Sequence, residues 1–162
     1  MDIVESPSDI IVITEVIPKA QVLPITKALL ALPGFSMYLN FDPDRNNLGS
    51  SGTRGIAIFI SNEIAANEVS IPDSIFSEQL WISIRLHGND SLLLGCIYRS
   101  PSGSNEVQTR LTYDLCELLK KSVEPNPSHL AIMGDCNYPE IAWVNSVSSA
   151  GVDHHSHRFL QT

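Results

Sequence analysis

The stretch Met133, Gly134, Asp135, Cys136, Asn137, Tyr138, Pro139, Glu140 sets a carboxylate and a carboxamide two residues apart directly after a short apolar run. An Asp so placed can take a proton from water, and an Asn beside it can orient that water or hold a phosphate oxygen. The same residues also suit an ordinary turn in which the two side chains bond the backbone as Asx turns. Two further segments follow the plan. Residues 10–14, IIVIT, run into Glu15, and residues 92–97, LLLGCI, run into Tyr98, Arg99, Ser100 and Pro101, where the proline prevents continuation of the strand. Three apolar strands would thus deliver Glu15, Tyr98 with Arg99, and Asp135 with Asn137 to one rim, the carboxyl edge at which open α/β sheets bind ligands. Hard oxygen donors of this kind suit magnesium rather than zinc.

The elements that must position these groups are readable from pattern. Residues 130–133 form a short apolar run bounded by polar turn residues, which predicts a buried strand, and Gly134 lets the chain leave it. Residues 20–32 read as a helix with Pro24 in its first turn and Gly34 after its end. A strand is expected at 35–39 and a loop at 42–53, rich in Asp, Asn, Gly and Ser. Strands follow at 55–60, 80–86 and 92–97, the last two joined by a hairpin turn through His87, Gly88, Asn89 and Asp90. A long helix begins near Asn105, with Asn105 as its cap and Gln108 reaching back, and Val107, Leu111, Leu115 and Leu118 make its apolar face. Hairpin-linked strands before that helix, with crossovers elsewhere, give a mixed sheet and an α/β class.

Composition bounds the problem. A chain of 162 residues with 43% hydrophobic and 17% charged residues can bury one sizeable core, so one domain over 1–162 is expected. The net charge of −8 offers little general attraction to nucleic acid, whose nonspecific affinity comes from Lys and Arg on phosphates. Arg99, Arg45 and Arg54 are the candidate phosphate contacts, whereas Lys120 and Lys121 fit a helix end facing the dipole. Cys96, Cys116 and Cys136 are odd in number and lack paired spacing, which fits reduced thiols inside a cell and packing for Cys136. No apolar stretch approaches membrane-spanning length.

The segments DIIVITE around Glu15, RGIAIFIS from Arg54, GCIYRSPSGSNE from Gly95 and GDCNYPEIAW from Gly134 resemble the endonuclease/exonuclease/phosphatase superfamily. Within it they resemble the endonuclease domain of non-LTR (LINE-type, jockey-like) retrotransposons, over about residues 8–159. The resemblance implies a four-layer α/β sandwich of two packed mixed sheets flanked by helices. It implies that Glu15 holds Mg2+ or Mn2+, that Tyr98 contacts the scissile phosphate, and that Asp135 activates water with Asn137 beside it; Arg99 is expected to bind phosphate. The implied partner is DNA, with a reverse transcriptase fused in the complete element. Against that family pattern the chain is expected to be a fragment, without the first strand and its Asn and without the C-terminal strands and their Ser-Asp-His motif, so that turnover falls well below that of a complete domain. A noncatalytic remnant of a degenerate element is the rival reading. A small-molecule phosphoesterase is a third, against which the NYPEIAW segment argues.

Asp153 and His154 look like that terminal motif, and His154, His155 and His157 like a metal cluster. Too few residues separate them from Asn137 for the strands that should intervene. They are therefore expected on an exposed loop or helix start away from Asp135, with Ser156 capping a helix whose apolar face begins at Phe159 and Leu160.

Overall fold

Isoleucines at alternate positions decide how the strands stack. In β3 (Ile56–Ser61) the side chains of Ile56, Ile58 and Ile60 are buried, and Leu80, Ile82 and Ile84 of β5 (Gln79–Arg85) match them. β6 (Ser91–Tyr98) contributes Leu94, Cys96 and Tyr98 to the same apolar layer. Successive side chains on a strand point to opposite faces, so each stripe is one face of its strand. Ile10 and Val12 of β1 (Ile10–Thr14) and Tyr38 of β2 (Phe35–Leu39) pack against the layer. Burial of one such side chain contributes roughly 2 kcal/mol, which makes this layer the main cohesive element.

The computed structural model describes residues 8–17, 25–43 and 54–162. Two sheets meet across the apolar layer. The first, in the order β1-β3-β2, is antiparallel throughout. The second has the order β4-β5-β6-β7, with β4 at Ala66–Val69 and β7 at His129–Asp135; β6 and β7 run parallel and the other pairs antiparallel. On the far face of this mixed sheet Trp81, Leu93 and Ile97 are covered by Leu115 and Leu118 of α2 (Asn105–Val123), with Phe159 and Leu160 of α3 (His155–Leu160) packed against the same cluster. A small hairpin of β8 (Ile141–Ala142) and β9 (Val147–Ser148) adds Ile141 to it. The described residues therefore form an α/β domain of sheet, mixed sheet and helices.

Several expectations shift in detail. Of the helix expected at 20–32, α1 (Lys27–Leu30) is observed, capped by Thr26, and Leu29 and Leu32 are exposed; residues 18–24 and 44–53, including Pro24 and Arg45, lie outside the described residues. The cap of α2 is Ser104, one residue before Asn105. Gln108 does not close a capping box: its Nε2 donates to the carbonyls of Ser100 and Ser102 and ties the helix to the loop leaving β6. β4 and the β8-β9 hairpin lack an apolar run and gave no signal. His87 sits exposed in the turn between β5 and β6.

β7 departs most from expectation. Leu130 is 36%, Ile132 41% and Met133 48% exposed. A continuous apolar run signals burial on both faces, yet β7 pairs with β6 alone, and among the described residues no strand occupies its other edge. Ala131 packs against the apolar layer, and β7 otherwise lies in close backbone contact with β6 along their shared ladder. Gly134 has φ 135°, and a Cβ there would fall on the carbonyl oxygen of Ile97, its register partner in β6. Gly134→Ala should therefore lower the unfolding free energy by about 3 kcal/mol or more, read by urea denaturation. A loss below about 1 kcal/mol would contradict this packing.

Candidate active site at the sheet rim

Tyr98 is the last residue of the inner stripe of β6, and it spans the gap between the sheets. Its ring lies in the apolar layer, 3% exposed, while its hydroxyl donates to Glu15 Oε1 at 2.6 Å. Burial first, then the bond to Glu15 and the charges of Glu15 and Asp135, push its pKa up to about 12, against the opposing charge of Arg54. It is therefore a neutral phenol and a hydrogen-bond donor at neutral pH.

Glu15 reaches it from the first sheet through an unusual backbone. The residue has φ 57°, a left-handed conformation that costs a side-chain-bearing residue about 1 kcal/mol. The chain there still pairs with the start of β3, since Val16 N donates to Gly55 O and Ile17 N to Arg54 O. Arg54 thereby comes alongside. Its Nε donates to Ile17 O at 2.9 Å and its Nη1 lies 3.4 Å from Glu15 Oε1. Glu78, which sequence reading missed because it sits in an unpatterned loop, is buried and accepts from Arg54 N and Asn40 Nδ2.

Asp135 arrives on β7, opposite Tyr98 in the register of the parallel pair. β1 and β7 belong to different sheets and meet across the layer between them, so Glu15 and Asp135 face the same phenol. The Asx turn is present as well: Asn137 N donates to Asp135 Oδ1 at 2.9 Å, and Asn137 itself has φ 49°. Asn137 Nδ2 donates to Arg99 O at 2.9 Å, so its amide end is spent on holding the loop. An open cleft of about 630 Å³ flanks these residues, lined by Met133, Asp135, Asn137 and Trp143. A larger one of about 860 Å³ is lined by Tyr38, Asn40, Glu68 and Trp81 and by none of Glu15, Tyr98, Asp135 or Asn137.

Arg99 lies elsewhere than expected. Side chains alternate along β6, so with Tyr98 facing inward Arg99 turns toward the helices. It is 1% exposed, 4.1 Å over the ring of Tyr138, with Nη1 donating to the carbonyls of Cys136 and Asn137 and Nη2 3.3 Å from His155 Nδ1. Its guanidinium braces the loop from behind rather than meeting a phosphate at the rim. Tyr138 and Ile141 of the NYPEIAW segment are buried there too, Tyr138 stacked on Phe159 and hydrogen-bonded to Thr112.

The histidine expectation needs correction, since His154 and His157 are half-buried and none of the three histidines is exposed. His154, not Ser156, caps α3 through its Nδ1, and His155 is buried against Arg99 and Tyr138 instead of exposed. The helix start turns this ring inward because Phe159 and Leu160 dock on the apolar cluster behind the loop. Burial, the adjacent His154 and Arg99 together lower the His155 pKa from its ordinary 6.5. The cysteines are free, and burial raises the pKa of both Cys96 and Cys136, so neither is a ready thiolate.

Among the described residues no group of three or more His, Cys, Asp and Glu is arranged to hold a metal ion. Mg2+ binds through one or two carboxylates and completes its shell with waters and substrate phosphate. Glu15 fits that role. Its side chain is 42% exposed, and among the described residues its hydrogen bond and its ion pair both fall on Oε1.

No family model matches the sequence, and no curated protein matches it. Among solved structures the chain is similar to the human Nocturnin catalytic domain with bound sulfate anion, at 12% sequence identity and a TM-score of 0.47. The match covers 82% of this chain and 49% of that one, so the chain spans about half the length of that domain. No helix among the described residues is long and apolar enough to cross a membrane.

A depressed histidine pKa has a definite sign. The folded state disfavours protonated His155, so stability is unchanged by this group above pH 6.5 and falls as pH drops from 6.5 toward the lower folded value. Urea midpoints measured from pH 7.5 to 5 should decline less in His155→Gln than in the wild type. Parallel profiles would show that His155 is not buried as described.

Proposed function

We propose that this chain is a phosphodiester hydrolase domain of the endonuclease/exonuclease/phosphatase type, an endonuclease that nicks DNA as part of a non-LTR retrotransposon protein. The observation that carries the reading is the Tyr98 hydroxyl, which bonds Glu15 across the two sheets while Asp135 stands opposite Tyr98 on the neighbouring strand. The motifs GCIYRSPSGSNE and GDCNYPEIAW support the particular family. Its finer architecture is the four-layer sandwich, with a helical layer on the first sheet. DNA is the partner, in an intracellular setting that suits the free thiols.

The chain's own residues divide the work. Asp135, exposed at the strand end, takes a proton from the attacking water. Tyr98, whose one O–H donates to Glu15 in the structure, turns that donor to a phosphate oxygen when substrate enters. Asn137 and the buried Arg99 fix the loop that aims Asp135. Glu15 is the residue that would hold Mg2+ or Mn2+, an ion whose charge, when bound, offsets the negative charge of the phosphate and leaving oxygen. The net charge of −8 keeps nonspecific DNA affinity low.

Supercoiled plasmid tests this, since one nick changes its migration. The purified chain should nick slowly with Mg2+ and not with chelator, and Asp135→Asn should cut the rate by about a hundredfold, the scale of one general base. Equal background rates for two folded proteins would contradict the reading and select the noncatalytic remnant.

A further inference from the structure

Arg54 is held in place by contacts that have nothing to do with Glu15. Its backbone N–H donates to the buried Glu78 carboxylate at 2.8 Å and its Nε to Ile17 O at 2.9 Å. These fix the guanidinium with Nη1 toward the rim. Nη1 is buried and makes no hydrogen bond among the described residues, and it lies 3.4 Å from Glu15 Oε1. The same oxygen already accepts from Tyr98. A positive charge therefore already stands beside Glu15 before any ligand arrives.

We infer that Arg54 is the built-in counter-ion of Glu15, which a divalent cation must displace or share, and that it sets the metal affinity of the rim. The inference rests on the reading of Glu15 as a cation site. A carboxylate between a guanidinium and a divalent ion gains attraction from both but must hold two like charges within a few ångströms. Near the surface that repulsion is large enough to change affinity by about tenfold. Arg54 thus keeps Glu15 ordered and bonded to Tyr98 when no metal is present, at the expense of weaker metal binding. Lys at the same place would retain the charge, whereas Met or Gln would remove it.

Calorimetric titration with MgCl2 on wild type, Arg54→Met, Arg54→Gln, Arg54→Lys and Glu15→Gln tests this, with circular dichroism confirming that each protein is folded. Arg54→Gln keeps a donor within reach of Ile17 O, so it guards against loss of the fold in Arg54→Met. Both uncharged variants should bind Mg2+ about tenfold more tightly than wild type, Arg54→Lys should stay close to wild type, and Glu15→Gln should lose binding. Unchanged or weaker binding in the uncharged variants, or tightening in Arg54→Lys equal to theirs, overturns the counter-ion role while Glu15 remains a cation site. Binding by Glu15→Gln equal to wild type, or no binding by any of the proteins, overturns the cation site and the inference with it.

Discussion

The apolar layer between the two sheets is the constraint on which the rest depends. Ile56, Ile58 and Ile60 on one side and Leu80, Ile82, Ile84, Leu94 and Cys96 on the other fix the spacing of the sheets. Tyr98 ends that layer. Its ring belongs to the core and its hydroxyl to the rim, so the packing that stabilises the fold also sets the distance over which Glu15 can be reached. A phenol serves where a phenylalanine or a serine would not, because it fills apolar volume and still carries a donor at its far end.

Around this bridge the polar groups are held by the backbone more than by each other. Glu15 and Asn137 both adopt left-handed conformations, at the ends of strands from different sheets. Strained backbone at a functional edge is compatible with stability only where surrounding structure over-determines it. Here the pairing of Val16 and Ile17 with the start of β3 restrains the first residue, and Arg99 the second. Arg99 shows how a buried cation can be satisfied without a salt bridge, through carbonyl oxygens and the face of Tyr138. Its Nε makes no hydrogen bond among the described residues.

Much of this was legible in the sequence, and the failures have physical causes. Apolar runs located β1, β3, β5, β6 and β7, and the turn residues located the hairpin between β5 and β6, because those signals are local. Strand ends pointed to a common rim for Glu15, Tyr98 and Asp135, but not to the packing of two sheets that brings Glu15 to Tyr98. Burial of β7 was misjudged because an apolar run does not reveal which neighbours the strand has. Arg99 was assigned to the rim although alternation from Tyr98 already placed it on the other face. His155 and Glu78 escaped because their partners, Arg99 and Arg54, lie far away in sequence and only tertiary packing unites them.

The central claim is that inter-sheet packing creates the rim through the Tyr98–Glu15 bond, and a double-mutant cycle on stability tests it most directly. Unfolding free energies of wild type, Tyr98→Phe, Glu15→Gln and the double variant give the coupling between the two side chains. A bond from a buried phenol to a partly exposed carboxylate should yield about 1 kcal/mol of favourable coupling. Additive effects, with no coupling beyond about 0.3 kcal/mol, would mean that the two residues do not meet and that the rim described here does not form.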